Sequence, residues 1–293
     1  MAASIVRRRA SAERRAILLD VAQVPRVLTI AGSDSGGGAG IQADLKAFAR
    51  LGVYGTCAIT VVTAQSTLGV ASMHTVPVRT VTAQIEVVLA DIGVDAVKIG
   101  MLGDGATVRA VARCLRKRLD PAIPVVVDPL LVASTGAELL ARGALAILVK
   151  ELLPLAAVIT PNLPEARALL EYTGHPAATS EDDRELARAL LSLGPRAVVL
   201  TGGHRVAPGD IYCDQDQLVE IPGTHYDSRA THGSGCTHSA VLAAELASGQ
   251  TPLEAARTAA KLAAEAVQNG LEQLGQGTGP VDILTNKATP HTR

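Results

Sequence analysis

Short apolar runs rich in β-branched residues recur at Arg26 to Ile30, Cys57 to Val62, Ala96 to Ile99, Val125 to Val127, Ala157 to Ile159 and Ala197 to Leu200. They show little polar and apolar alternation, as expected of strands covered on both faces. Between them stand stretches with helical spacing: Ala39 to Leu51, Thr80 to Ile92, Ala106 to Leu119, Ala141 to Glu151, Leu163 to Glu171 and Glu181 to Leu193. Parallel strands joined by crossover helices produce this rhythm, so the pattern predicts an α/β fold with a mostly parallel central sheet flanked by helices on both faces. After Leu200 the rhythm stops. Asp210 to Cys213 and Gln217 to Ile221 read as a hairpin around Asp214 to Asp216. Two Ala-rich helices follow, Gly235 to Ser248 and Pro252 to Leu274, the second with Thr251 as N-cap, Pro252 at its first position and Glu254 at the capping-box position. No Gly/Ser linker or internal repeat divides the chain. The reading is a single domain over residues 25–284, an N-terminal extension over 1–24 and a loose tail over 285–293.

Composition narrows the function classes. Hydrophobic residues make up 48% of the 293, which is ample for a core, but Trp is absent and Phe48 is the single Phe, so base-stacking platforms are not expected. Lys and Arg total 27 against 28 Asp and Glu, leaving no net field for a nucleic-acid backbone or an anionic membrane. No apolar run approaches the roughly 20 residues that span a bilayer. Cys57, Cys114, Cys213 and Cys236 form no C-x-x-C pair, which points away from zinc cages and disulfides and toward a reducing, cytoplasmic setting. The Arg-rich start MAASIVRRRASAERRAILLD shares its composition with transit peptides, but without a cleavage signal it reads as an ordinary extension. A small-molecule partner remains.

Candidate chemistry sits where strands end. AGSDSGGGAGIQADLK, Ala31 to Lys46, places four glycines in five positions ahead of a helix, letting the backbone approach a ligand. It fits neither G-x-G-x-x-G nor G-x-x-x-x-G-K-[ST]. Asp44, in the helix that follows, reads as a solvated carboxylate. Gln65 comes after a strand and offers the acceptor and donors that an aminopyrimidine edge requires. Asp128, ending VVVDPLL, suits Mg²⁺ or its water shell. In TPNLPEA, Asn162 and Glu165 supply a carbonyl and a carboxylate, with an N-cap and first-turn pair as the competing explanation. The segment VKIGML, Val97 to Leu102, ends another buried strand. THGSGC, Thr231 to Cys236, opens an Ala-rich helix from Thr237 to Ser248. There the amides of Gly233, Ser234, Gly235 and Cys236 can converge on an anion, and the positive helix end is expected to lower the Cys236 thiol pKa.

In order and spacing, AGSDSGGGAGIQADLK, TAQSTLGV, KIGML, VVVDPLL, TPNLPEA, TGGH and THGSGC resemble the hydroxymethylpyrimidine/phosphomethylpyrimidine kinases of thiamine biosynthesis, which have the ribokinase-like three-layer fold. The resemblance implies ATP- and Mg²⁺-dependent phosphorylation of 4-amino-5-hydroxymethyl-2-methylpyrimidine and then of its monophosphate. It assigns Gly32, Asp44, Gln65 and Met101 to the pyrimidine pocket. Cys236 becomes the proton acceptor, with Gly233, Ser234 and Gly235 as the anion hole. Asp128, Asn162 and Glu165 fall to the phosphates and metal, and Thr201 with Gly202 to the ATP side. A homodimer is compatible with it. SDSGGGAG, TAQST and TGGH depart from the more usual SDPSGGAG, TAQNT and KGGH, and no thiamine-phosphate synthase domain is fused. A pyridoxal kinase of the same lineage is the nearest rival, against which Gln65 speaks. A non-catalytic nucleotide-binding module is the other, against which Cys236 and its glycines speak.

Overall fold

The computed structural model describes residues 24–130, 142–202 and 208–285. The N-terminal extension up to residue 23, the tail from 286 and the start of the helix expected at Ala141 lie outside the described residues. Among the described residues nine strands form one sheet in the order β3-β2-β1-β4-β5-β6-β7-β8-β9. β1 (Arg26–Asp34), β2 (Tyr54–Ser66), β4 (Ala96–Ile99), β5 (Val125–Val127), β6 (Val158–Ile159) and β7 (Ala197–Leu200) run parallel. β3 (Gly69–Thr75) and β8 (Gly209–Asp214) run against them, and β9 (Leu218–Pro222) pairs antiparallel with β8. The α/β expectation holds, with one strand unforeseen. β2 runs through Gln65 and turns at Thr67 and Leu68 into β3. β3 is mostly exposed, so it carries no apolar run to announce it.

Side chains alternate across the sheet, and each strand therefore feeds two cores. Leu28, Ile30, Val97, Ile99, Val125 and Val127 face one core with α2 (Val78–Asp91), α3 (Gly105–Arg118), α5 (Leu163–Tyr172) and α6 (Asp183–Leu191). Val27, Ala96, Val126 and Val199 face the other, with α1 (Gly40–Arg50), α7 (Ser234–Ala247) and α8 (Pro252–Gln268). The remaining helix, α4 (Arg142–Ile147), passes into a π turn at Leu148–Leu152. Ala-rich α7 packs flat on the sheet because its small side chains let the backbone come close, and Cys236 to Ala244 are all buried. α8 begins as its caps require, with Thr251 Oγ1 accepting from the Glu254 amide at 3.3 Å. It stops at Gln268, short of Leu274, where Asn269 and Gly270 end it. Among the described residues no helix is long and apolar enough to cross a membrane.

All six parallel strands end at one edge, and the chain order switches sides around β1, the place where open α/β sheets bind ligands. The glycine loop follows β1, Gln65 lies near the end of β2, Met101 follows β4, Asp128 follows β5, Asn162 follows β6 and Thr201 follows β7.

Candidate active site

Two glycine-bearing loops meet at that edge. Gly233 is the N-cap of α7 with φ +84°, a conformation L side chains rarely adopt, and a Cβ there would collide with the carbonyl of Gly38. Gly40 opens α1 with φ +58° against the carbonyl of Gly32. The loops after β1 and before α7 therefore fit only as backbone against backbone. α7 starts at Ser234, so Cys236 lies inside its first turn. The Ser234 amide donates to the Thr231 carbonyl at 3.2 Å, while a first helix turn leaves amides such as those of Gly235 and Cys236 without intrahelical acceptors, which suits an anion.

Under this helix end lies a buried charge cluster. Lys98 Nζ stands 3.0 Å from Asp44 Oδ1, and the Thr29 hydroxyl donates to Asp44 Oδ2 at 2.6 Å. Asp44 has no exposed surface, which corrects its reading as a solvated carboxylate. Gly100 makes room for the ammonium, since a Cβ there would lie 2.9 Å from Lys98 Nζ. Burial opposes the lysine charge, but Asp44, Cys236 and Asp128 outweigh it and hold the ammonium above the usual lysine value. Burial raises the Asp44 and Asp128 carboxyls, with Lys98 pulling both the other way. The Cys236 thiol is likewise pushed up to about 12 by burial, against the pull of Lys98. The expected lowering at the helix mouth is overturned: desolvation of a fully enclosed thiolate exceeds what a helix end supplies.

Beside this cluster, β1, β2 and the loop before α7 come together. Gly32 adjoins Met101, whose Sδ would lie 3.4 Å from a Cβ at position 32. Asp34 Oδ2 accepts from the amides of Gly38 and Ala39 at 3.0 and 2.9 Å and lies 3.0 Å from His232 Nε2. Burial works against the Asp34 charge, yet His232 and the loop amides outweigh it and lower its pKa. Gln65 Nε2 lies 3.3 Å from the same His232 nitrogen, and Gln65 Oε1 lies 3.0 Å from the Thr63 hydroxyl.

Farther along the edge, Asn162 and Glu165 form a complete capping box. Asn162 Oδ1 accepts from the Glu165 amide at 2.9 Å, and Glu165 Oε2 accepts from the Asn162 amide at 3.0 Å. The competing explanation for this pair is thus realised, whatever else the carboxylate does. Thr201 bridges to Asn162, and the Gly202 amide donates to Asp210 Oδ1 at 3.0 Å. The other oxygen of Asp210 lies 2.9 Å from His238 Nε2 on α7, tying the end of β7 to the anion-facing helix.

A family model described as phosphomethylpyrimidine kinase matches residues 34–282. The chain belongs to that family. Over 269 residues it is 45% identical to the hydroxymethylpyrimidine/phosphomethylpyrimidine kinase of Haemophilus influenzae, covering 89% of this chain and 97% of that protein. The corresponding kinase of Rhizobium meliloti is 47% identical, over 87% of this chain and 95% of its own. Among solved structures, the ADP complex of Bacillus subtilis pyridoxal kinase superposes with TM-score 0.80 at 36% identity, covering 89% of this chain and 97% of that one. A phosphomethylpyrimidine kinase from Clostridium difficile gives 0.71 at 37% identity, over 83% and 99%. The fold is ribokinase-like and the protein is a kinase.

Sequence reasoning reached Gly32, Gln65, Met101, Asp128, Thr201, Gly202 and the 233–236 turn at this edge. It missed Lys98, His232, Asp34 and the Asp210–His238 link. Lys98 had a readable signal, a lone cation in the apolar strand AVKI, which demands buried partners. His232 sat within a quoted motif without a role.

The donor set fits Mg²⁺. Asp128 and Glu165 are hard oxygen donors after adjacent strands, and this ion takes one or two carboxylates together with phosphate oxygens and water.

Proposed function

We propose that this kinase moves the γ-phosphoryl group of ATP onto the hydroxymethyl group of 4-amino-5-hydroxymethyl-2-methylpyrimidine, and then phosphorylates the monophosphate to the diphosphate, in thiamine diphosphate biosynthesis. The observation that carries this reading is the junction of the two glycine loops, where Gly233 at the start of α7 meets the Gly38 carbonyl and His232 meets Gln65. Phosphoryl transfer needs its equatorial oxygens stabilised as charge shifts, and preorganised amides do this without moving. Gln65 pairs with the aminopyrimidine edge. Thr201 and Gly202, fixed by Asn162 and Asp210, support the nucleotide.

Asp128 and Glu165 would hold Mg²⁺, which neutralises phosphate charge when bound. Cys236 takes the hydroxyl proton through its minority thiolate form, since the resting thiol is protonated. Lys98 keeps that thiolate accessible by facing it with a buried positive charge. The working unit is the single domain spanning residues 25–284.

Purified protein with ATP and Mg²⁺, offered the pyrimidine alcohol, its monophosphate and pyridoxal in parallel, tests the assignment. Both pyrimidines should turn over faster than pyridoxal. The reverse order would assign the chain to the pyridoxal kinases.

A further inference from the structure

We infer that His232 is a positioning residue that fixes which way round the Gln65 side-chain amide faces the substrate, and thereby selects a 4-aminopyrimidine edge over a 4-oxopyrimidine edge. This rests on the pyrimidine reading of the pocket given above. The nitrogen and oxygen ends of a glutamine amide are told apart by their partners' protons, and here both ends give the same answer.

At one end, His232 Nε2 is a single atom that either carries a proton or offers a lone pair. It stands 3.0 Å from Asp34 Oδ2, and that carboxylate also accepts from the Gly38 and Ala39 amides. A carboxylate bound in this way only accepts, so Nε2 carries the proton, whether the ring is neutral or protonated. The Gln65 atom 3.3 Å from this N–H must then be the oxygen, because two donors cannot pair.

At the other end, the Thr63 hydroxyl has one proton and two neighbours, the Ser33 carbonyl at 3.1 Å and the Gln65 amide at 3.0 Å. The carbonyl can only accept, so it takes the proton. The hydroxyl lone pairs are left for a donor, which makes the Gln65 atom beside Thr63 the NH₂ group. With Oε1 toward His232 and Nε2 toward Thr63, no donors face each other, and the one Nε2 proton of His232 is bifurcated between Asp34 and Gln65. A directed series results: His232 donates to Asp34 and to Gln65, Gln65 donates to Thr63, and Thr63 donates to the backbone of β1.

The arrangement leaves Gln65 one N–H and one lone pair for a ligand, in a fixed order along its edge. A 4-aminopyrimidine presents a ring nitrogen acceptor beside an exocyclic donor, which matches such a pair. A 4-oxopyrimidine presents the opposite order and would need the amide turned over, setting its NH₂ against the His232 N–H. A site built around a committed hydrogen-bonding group rejects the mispaired analogue because buried polar groups are left unpaired.

Two measurements test this. In the free wild-type protein, nitrogen NMR should find His232 protonated at Nε2, and the Gln65 side-chain NH₂ protons should show contacts to Thr63. A His232 ring protonated only at Nδ1, or Gln65 NH₂ contacts to the His232 ring, would overturn the inference. In turnover, His232→Ala should lower the ratio of kcat/KM for the 4-amino alcohol over its 4-oxo counterpart by about tenfold, with His232→Gln, which keeps a donor, restoring much of it. An unchanged ratio in a folded His232→Ala protein would overturn it too. His232 packs against Gly38, so should the alanine variant unfold, the NMR result on the wild type decides alone. If the wild type fails to turn over the amino compound, the substrate assignment falls, while the NMR measurement still reads the orientation of the amide.

Discussion

Lys98 Nζ lies 3.0 Å from Asp44 Oδ1, and neither side chain has any exposed surface. An ion pair this deep adds little net stability over an apolar pair, because desolvating both charges cancels most of their attraction. It is, however, very sensitive to the loss of one partner. Lys98→Met would leave Asp44 and Asp128 facing each other in a dry interior, and it should lower the free energy of unfolding by about 3–5 kcal/mol in urea titrations. Adding Asp44→Leu to that variant should recover part of the loss. A Lys98→Met protein as stable as the wild type would mean that the carboxyls simply bind protons and the lysine charge is dispensable to the fold.

Asp34 makes a pH prediction with a definite sign. Its folded pKa is lowered from the ordinary 3.8, with His232 and the loop amides outweighing burial. A lowered carboxyl gives stability that is fully present above the unfolded value and lost as the pH falls through the folded one. Asp34→Asn, which keeps one acceptor and loses the charge, should therefore be less stable than the wild type at neutral pH by about 1–2 kcal/mol. The gap should begin to narrow once the pH drops below the ordinary 3.8 and close only below the lower folded value. A gap that persists unchanged in acid would place the effect in loop packing.

Much of this site was legible because its architecture is written in apolar runs and glycines. Six strands and two glycine-rich turns define the edge, and Gly233 and Gly40 had to be glycines because Gly233 meets the Gly38 carbonyl of the opposing loop and Gly40 the Gly32 carbonyl of its own segment. What stayed hidden were relations across long sequence separations. Lys98 and Asp44 are 54 residues apart, and His232 and Asp34 are 198 apart; no local period reports such pairings. The Cys236 thiol was misjudged for a related reason. A helix end is visible in sequence, whereas the enclosure that raises the thiol comes from α1, β4 and β5 closing over it. β3 was missed because an exposed edge strand needs no apolar face.

The capping box separates two roles of Glu165. Gln at the same position can still accept from the Asn162 amide, so Glu165→Gln should keep its unfolding free energy within about 0.5 kcal/mol of the wild type. Losing the negative charge should nonetheless raise the Mg²⁺ concentration needed for half-maximal rate. Asn162→Ala removes the acceptor that holds the Glu165 amide and should lower stability by about 1 kcal/mol. Unaltered Mg²⁺ dependence in Glu165→Gln would leave the residue as a cap and nothing more.

Cys236 provides the sharpest test of the chemistry. Burial pushes its thiol up to about 12, Lys98 opposes, and Asp128 and Asp44 reinforce the rise. At neutral pH the thiolate is then a fraction on the order of 10⁻⁵. In the free enzyme iodoacetamide should label the half-exposed Cys57 ahead of Cys236, since access adds to the handicap of a protonated thiol. The scarcity of thiolate also shapes the pH profile. A base present only as a minority species grows about tenfold with each pH unit below its pKa, so kcat should still be climbing at pH 9 wherever proton transfer limits the rate. Cys236→Ser should flatten that climb and lower kcat on the order of 10²-fold to 10⁴-fold, the usual range for losing a general base. Nucleotide affinity should change little, because the backbone amides at 233–236 remain in place. A wild-type profile that is flat from pH 6 to 9, together with a serine variant of near-normal kcat, would remove the thiolate from the mechanism. The proton would then leave with the transferred phosphoryl group, and the helix-end amides would carry the catalysis.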